Sequence, residues 1–271
     1  MKMLTKFIAP LATAMALMSA GSVQAELNLA GLSAEAQGLA IAKERKARDI
    51  GWGDSTSTVT MTLRNSQGEE SIREMRMKAL EVADDGDKGL TIFDMPKDVK
   101  GTAFLNFSHI DKSDDQWLYL PALKRVKRIS SRNKSGPFMG SEFAYEDLSS
   151  FEIEKYTFKF LGEEKVKDID CYKVEQIPTD KNSGYTRQVV WLDKEHLRGQ
   201  KIDFYDRKKS LLKTLTLSDH KLYLDKYWRP MQMNMINHQT RKSTELNTRS
   251  LEFQTGLKDS DFNKATLKRA R

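Results

Sequence analysis

The sequences TVTMTL at residues 58–63 and EMRMKA at residues 74–79 decide the fold class of this chain. In both, apolar and polar residues alternate with a period of two, which is the pattern of a β-strand with one buried face. A turn at Asn65 to Gly68 separates them. Two alternating strands joined by a short turn predict a long β-hairpin.

The same period continues almost to the end of the chain. About a dozen antiparallel strands joined by short turns predict one large, strongly curved sheet, because so many strands do not stay flat. Ahead of them, Ser33 to Asp49 predicts a helix with Ser33 as its N-cap, and we expect it on the concave face of the sheet. The further strands predicted are Leu90 to Phe93, Thr102 to Phe107, Gln116 to Leu120, Lys124 to Ile129, Lys155 to Leu161, Cys171 to Ile177, Tyr185 to Leu192, Gln200 to Tyr205, Leu211 to Leu217, Met231 to Met235 and Thr244 to Phe253.

Residues 1–25 have the pattern of a cleaved export signal. Lys2 and Lys6 start it, an apolar run extends from Phe7 to Met18, and small residues at Ser22 to Ala25 suit cleavage. The run has only about a dozen residues, whereas a membrane-spanning helix needs ~20. We therefore expect a mature chain of residues 26–271 that forms a single domain, since large β domains commonly reach roughly 200–250 residues.

The composition is that of a protein with a hydrophobic core. The chain is 39% hydrophobic and 31% charged, so it has enough apolar residues to bury a core. Cys171 is its only cysteine, which excludes an internal disulfide and the small cysteine-stapled secreted scaffolds. The core must therefore stabilise the fold unaided.

The formal net charge is +7, and loss of Lys2 and Lys6 with the signal would leave +5. A modest basic charge favours anionic membrane surfaces or acidic partners. We expect no nucleic-acid binding, because the chain is exported and lacks a basic module studded with aromatic residues.

The sequence predicts no catalytic site, no cofactor and no metal site. Its four histidines stand singly, without the spacing of metal ligands, and there is no Gly-x-Ser-x-Gly elbow. Asp111, Ser113 and Asp115 begin like a calcium loop, but Gln116 stands where glycine is needed. Cys171 lies in a strand pattern, and we expect an inert thiol there. The chain is not expected to be an enzyme.

Methionine is concentrated on three of the predicted strands. Of the eight in the mature chain, six alternate along a strand: Met61, Met75, Met77, Met231, Met233 and Met235. We predict that they mark one sheet face. Methionine is flexible and polarisable, so such a face adapts to ligands of variable shape. A closed methionine core under the helix is an equally good interpretation of the pattern.

Four blocks of sequence resemble the LolA-like outer-membrane lipoprotein-sorting protein family. They are KGTAFL at residues 100–105, WLYLPALKRVKRI at 117–129, FMGSEFAYEDL at 138–148 and WLDKE at 191–195, and the resemblance extends over essentially the whole mature chain. It implies an incomplete antiparallel β-barrel, closed by helices, whose apolar interior receives acyl chains in the bacterial periplasm. The blocks at 117–147 look like the branch associated with inner-membrane exporters.

Two sets of site residues are predicted from these features. Aromatic residues of the blocks join the methionines in the predicted apolar cavity, and a basic stretch is predicted to contact lipid headgroups or a partner protein. The cavity residues predicted are Met61, Met75, Met77, Phe93, Phe107, Trp117, Tyr119, Phe143, Tyr145, Met231, Met233 and Met235. The basic residues predicted are Lys124, Arg125, Lys127, Arg128, Arg132 and Lys134.

The leading functional hypothesis is a periplasmic carrier that binds the acyl chains of lipids or lipoproteins and moves them from an inner-membrane transporter towards an outer-membrane acceptor. Burial of acyl methylenes would supply the affinity, with peripheral contact to the membrane. The alternative is an adaptor or accessory subunit of an RND-type inner-membrane exporter that carries no lipid.

Overall fold

The computed structural model describes residues 27–269, so the predicted export signal lies outside the described residues. Their single α-helix, α1 (Ala34–Arg48), begins where the sequence predicts it: the hydroxyl of Ser33 accepts a hydrogen bond from the N–H of Ala36 at 3.2 Å. Basic residues in the last turn suit the negative end of the helix dipole. No helix in this part of the chain is long and apolar enough to cross a membrane.

Thirteen antiparallel strands form one sheet, in the order β6-β5-β4-β3-β2-β1-β13-β12-β11-β10-β9-β8-β7. The sheet is not closed, because β6 and β7 each have a single strand neighbour within the described residues. The first and last strands pair at its centre, where Ser55 lies opposite Phe253. The strands are β1 (Asp54–Arg64), β2 (Glu70–Leu80), β3 (Lys88–Met95), β4 (Ala103–Phe107), β5 (Asp115–Leu120), β6 (Arg125–Ile129), β7 (Tyr156–Val166), β8 (Ile169–Pro178), β9 (Arg187–Asp193), β10 (Gly199–Tyr205), β11 (Leu211–Tyr223), β12 (Tyr227–Asn237) and β13 (Ser243–Phe253).

The predicted fold class, a large curved antiparallel sheet forming an incomplete barrel, is confirmed. The predicted strands all exist, but β7, β11 and β12 extend several residues beyond their predicted ends. The extensions of β7 and β11 consist mainly of polar and charged residues, so hydropathy alone ends these two strands early. Within residues 27–269 the expectation of closure by helices is met by one α-helix, and short 3₁₀ turns between β6 and β7 contribute further side chains to the central cluster.

Two side-chain contacts show how strongly the sheet curves. Gln116 on β5 donates a hydrogen bond to the carbonyl of Tyr145, and Lys213 on β11 binds Asp147, two residues further along. In a flat sheet, β5 and β11 would be seven strand spacings apart, roughly 34 Å at ~4.8 Å each. Two residues of extended chain span at most ~7 Å. The sheet therefore wraps around the segment that contains Tyr145 and Asp147.

Buried apolar side chains form clusters on both faces of the sheet. On the concave face a central cluster is continuous, through Ile202, with the cluster under α1. On the convex face a separate cluster lies between β3–β5 and the C-terminal residues Phe262 and Leu267. The concave cluster is the one that fills the half-barrel.

Gly38 sets the distance between α1 and the sheet. A Cβ atom at this position would lie 2.8 Å from the backbone nitrogen of Lys159 and 2.9 Å from that of Phe160. Gly38→Ala should therefore destabilise the protein by about 1–3 kcal/mol through overpacking, although alanine normally stabilises a helix by ~1 kcal/mol over glycine. Urea unfolding measures the change. Ala47→Gly on the same helix reports the intrinsic propensity cost, and a stabilised Gly38→Ala protein would contradict the prediction.

Candidate functional site

Residues 130–155, here named the crossing segment, run from β6 at one edge of the sheet to β7 at the other. The segment folds back on itself inside the half-barrel: the N–H of Phe138 donates to the carbonyl of Phe143 at 2.7 Å, and the N–H of Tyr145 donates to that of Gly136 at 3.1 Å. Because it joins the two free edges across the concave face, it occupies the place where a ligand of the half-barrel would lie.

Aromatic side chains of the crossing segment fill the apolar interior. Phe138 is only 2% exposed, and its ring centroid lies 5.8 Å from that of Phe93 and 5.2 Å from that of Phe104. Phe143 is buried in the same cluster, and Tyr145 packs against it. Of the aromatic residues predicted to line the cavity, the structure brings Phe93, Phe143 and Tyr145 together here.

The methionines lie on the same face, as the two-residue period indicates. Met61, Met75 and Met235 are at most 3% exposed in the central cluster, and Met77 and Met233 pack at its margin. Met231 is also buried, and its sulfur accepts a hydrogen bond from the hydroxyl of Tyr223 at 3.4 Å. The grouping predicted for the methionines is present, and side chains of the crossing segment share the central cluster with all of them except Met231. Their contact with a ligand stays a prediction.

Phe107, Trp117 and Tyr119 do not join this group, which corrects the grouping predicted from the sequence. They pack in the convex cluster with Phe262 and Leu267. Side chains alternate along a strand, so with Leu118 in the concave cluster its neighbours must point to the other face. Their placement gives no support to the predicted contact with a ligand in the interior.

A buried ion pair fastens the crossing segment to the sheet. The Nζ of Lys213 lies 2.7 Å from Oδ2 of Asp147, and the two side chains are 4% and 7% exposed. Lys213 also donates to the carbonyl of Glu142 at 2.8 Å, and the hydroxyl of Tyr185 donates to Oδ1 of Asp147 at 2.7 Å. Burial, and then the charge of Asp147, raises the pKa of Tyr185 well above its usual value, so this hydroxyl stays a donor.

Further polar contacts hold the same segment along its length. The N–H of Glu142 donates to the hydroxyl of Thr244 at 2.9 Å, and its carboxylate accepts a hydrogen bond from Asn237 at 2.7 Å. The carboxylate of Glu146 accepts hydrogen bonds from Ser183 and the backbone N–H of Gly184, both at 2.8 Å. The interior is thus an apolar cluster, and hydrogen bonds and an ion pair at its margin hold the crossing segment in place.

The sequence analysis did not predict these polar contacts, although the sequence contains an indication of the ion pair that Lys213 forms. Lys213 lies on the same side of β11 as Leu215 and Leu217, which belong to the central cluster. A lysine on the apolar side of an alternating strand is unusual and requires a buried partner. Asp147 lies in an irregular stretch, where no periodicity indicates its partner.

The basic stretch lies at the free edge of β6. Lys124, Arg125, Lys127, Arg128 and Arg132 are exposed. Arg128 pairs with Asp115, while Lys134 turns inward and pairs with Asp180 at 2.7 Å. Charged residues on an edge strand also prevent edge-to-edge association. Four of the six predicted cations are therefore exposed and without an ion pair within the described residues, while Arg128 and Lys134 have structural contacts.

The predicted absence of a metal site and of a reactive thiol can be compared with the described residues. These residues contain no group of three His, Cys, Asp or Glu side chains that could hold a metal ion. Cys171 is fully buried, and burial raises the pKa of its thiol to about 11. A thiol with so high a pKa is protonated at neutral pH and is a poor nucleophile.

A second concavity, here named the end cleft, opens where α1 ends. Its volume is about 220 Å³, and it lies between the C-terminal half of α1, the turn that joins β2 to β3 and the end of the crossing segment. Ser150, Phe151 and Glu152 of the crossing segment form one wall, while Trp52 and Ile50 supply apolar surface. The end cleft and the filled interior are thus bordered by the same segment.

Comparison with known proteins identifies the family to which this architecture belongs. A domain from Vibrio parahaemolyticus, provisionally described as an outer membrane lipoprotein-sorting protein domain, is 70% identical, with a TM-score of 0.86 over 87% of this chain and 100% of that chain. The chain belongs to the LolA-like lipoprotein-sorting family. A family model described as "Uncharacterized protein" matches residues 85–269 of this LolA-like chain.

Two further solved structures share the fold of the LolA-like chain. A DUF1329 family protein from Desulfovibrio piger is 30% identical, with a TM-score of 0.83 over 87% of this chain and 100% of that one. A LolA superfamily protein from Nitrosomonas europaea is 19% identical, with a TM-score of 0.66 over 86% of this chain and 99% of that one. No curated protein sequence matches the LolA-like chain.

Proposed function

We propose that the chain is a periplasmic carrier that shields the acyl chains of lipids or lipoproteins in its concave interior while they pass between membrane-bound partners. The observation that carries the proposal is the cover of the interior: within the described residues, α1 and one irregular segment cover the apolar concave face, and no second sheet does. Membership of the LolA-like lipoprotein-sorting family supports it.

Carriage requires the ligand to replace the aromatic side chains of the crossing segment. An acyl chain with about fifteen methylenes gains ~12 kcal/mol on leaving water, at ~0.8 kcal/mol each. Exposure of Phe138 and Phe143 costs ~3–6 kcal/mol, at ~1.5–3 kcal/mol for each side chain. The apolar contributions to the exchange therefore favour a full-length acyl chain, and the flexible methionines beneath it adapt to the new surface.

The test is the lipid content of the protein. The full chain is produced with its N-terminal segment in a bacterial host, recovered from the periplasm without detergent and extracted with organic solvent for mass spectrometry. We expect close to one acylated molecule per protein. Protein that is folded, free of acyl lipid and unable to take up lipid from vesicles would refute carriage.

A second function is favoured by the packed state of the interior. With Phe138 and Phe143 buried, the half-barrel needs no ligand to complete its core. An accessory subunit that docks on an RND-type inner-membrane exporter and carries no lipid would have this property. Co-purification with such an exporter in the absence of bound lipid would support this second function over the carrier.

Removal of charge at the β6 edge should weaken contact with an anionic membrane. Reversal of Arg125 and Lys127 to glutamate should lower binding to vesicles that contain anionic lipid, while stability changes by no more than about 0.5 kcal/mol because both side chains are exposed. Binding by the unmodified protein should decrease with added salt, since exposed charges are screened over ~8 Å at physiological ionic strength. Vesicle co-sedimentation measures both effects.

Reversal of Lys165 and Lys167 to glutamate at the β7–β8 turn is the control. Equal loss of vesicle binding in both variants would contradict a role for the β6 edge.

A further inference from the structure

Arg45 forms no side-chain hydrogen bond and no ion pair within residues 27–269. It lines the end cleft. It lies over the ring of Phe151, 4.8 Å from the centroid. Burial lowers the pKa of Arg45, and the nearby charge of Asp49 offsets this effect only in part. A guanidinium with free donors in a concavity is suited to bind an oxyanion.

The acidic residues around the cleft form ion pairs or hydrogen bonds with groups other than Arg45, and Asp87 is the one exception. Asp49 pairs with Arg229 at 2.6 Å, and Glu152 pairs with Lys46 at 2.9 Å. Glu81 accepts hydrogen bonds from two backbone N–H groups, those of Gly51 and Gly53.

Asp85 contacts the imidazole of His109 and the N–H of Ile110. Asp87 is the exception, because within the described residues its carboxylate has one hydrogen bond, a long one of 3.3 Å from the N–H of Val82. Burial raises the pKa of Asp87 to about 6. This carboxylate therefore lacks a cationic partner in direct contact.

We propose that the end cleft binds the headgroup of a zwitterionic phospholipid, with Arg45 facing the phosphodiester and Asp87 facing the ammonium group. One unpartnered cation and one poorly partnered anion in the same cleft match the two charges of such a headgroup. An anionic glycerol headgroup would leave Asp87 without a partner. The inference rests on the proposed carrier function and names the lipid class that the carrier accepts.

The size and walls of the cleft fit a headgroup better than a whole ligand. Pockets for drug-sized ligands occupy roughly 300–1,000 Å³, and this cleft has about 220 Å³. The acyl chains would need other space, and the crossing segment borders both the cleft and the interior. A lipid would thus contact the segment at its headgroup and at its chains.

Soluble headgroups test the cleft without any acyl chain. The folded protein is titrated separately with glycerophosphoethanolamine, glycerophosphoglycerol and inorganic phosphate, while NMR follows the indole N–H of Trp52, assigned as the signal absent in Trp52→Phe. We expect saturable binding of glycerophosphoethanolamine, about tenfold tighter than that of the other two. Equal affinity for all three would show a general anion site and overturn the proposal, as would the absence of binding.

Two variants separate the roles of the charges. Asp87→Asn keeps a carbonyl acceptor for Val82 and should abolish the preference for the ethanolamine headgroup, whereas Arg45→Gln should weaken both organic headgroups equally. Asp84→Asn and Lys43→Gln, exposed on the same turn and the same helix, are the matched controls, and thermal melting verifies that each variant is folded. An Asp87→Asn protein that keeps the preference would refute the assignment.

The outcomes also separate this inference from the carrier function. Lipid that co-purifies without headgroup preference, together with no response of Trp52, overturns the inference and leaves carriage intact. Headgroup binding by a protein that never retains acyl lipid supports the cleft and refutes carriage.

Discussion

Replacement of Lys213 by methionine should lower the free energy of unfolding by about 3–5 kcal/mol, because it leaves the carboxylate of Asp147 buried without its counterion. The lysine also binds the carbonyl of Glu142, so two anchor points of the crossing segment are lost together. Urea unfolding measures the loss, and limited proteolysis should show faster cleavage within residues 130–155.

Two further variants give this prediction its controls. Lys165→Met removes an exposed pair with Asp170, in which both side chains are about two-thirds exposed, and should cost less than about 1 kcal/mol. Lys213→Met combined with Asp147→Leu should recover part of the stability, since apolar replacement of both partners removes the uncompensated charge. A Lys213→Met protein no less stable than Lys165→Met would show that the ion pair does not hold the segment.

Phe138→Ala should have opposite effects on the empty and the loaded protein. Truncation of this nearly fully buried ring should destabilise the empty protein by about 3–5 kcal/mol. If the crossing segment competes with acyl chains, the same truncation weakens the competitor, and affinity for a fluorescent fatty acid or phospholipid should rise. Chemical unfolding and lipid titration on one preparation measure both.

Phe262→Ala is the matched control for this variant. Phe262 is 3% exposed, similar to Phe138, but it packs in the convex cluster. It should lose comparable stability with unchanged lipid affinity. Equal effects of the two substitutions on lipid binding would mean that affinity follows global stability, and competition by the crossing segment would be refuted.

The alternation of apolar and polar residues along the strands is the part of the sequence from which the fold could be predicted. The methionine strands and Phe93 lie where the two-residue period places them, because that period is a property of the strand backbone. Trp117 and Tyr119 were grouped by their position in a recognised block, and the same period, applied through Leu118, assigns them to the opposite face. Hydropathy and alternation agree at these positions, whereas at Lys213 they disagree and a buried ion pair explains the difference.

The polar part of the site was beyond this kind of prediction. The crossing segment has no regular period, so the partners of Asp147, Glu142 and Glu146 depend on how the sheet curls around them. The end cleft is similar, since Arg45 and Asp87 are 42 positions apart in the chain and meet only through the packing of α1 beside the β2–β3 turn. Contacts that form only when distant segments of the chain pack together leave no pattern in the local sequence.

The pairing of β1 with β13 has a consequence for how the chain reaches its folded state. Strands β1–β6 form one meander and β7–β13 another, and the two meet at the middle of the sheet. Residues nearly two hundred positions apart must pair there, and contacts so distant in sequence form slowly. In a chain that emerges from its N-terminus, the open edge of β1 stays exposed until the last strand arrives. An unpaired edge is a site of intermolecular association, so the period between the emergence of these two strands is when a newly made molecule most needs a chaperone.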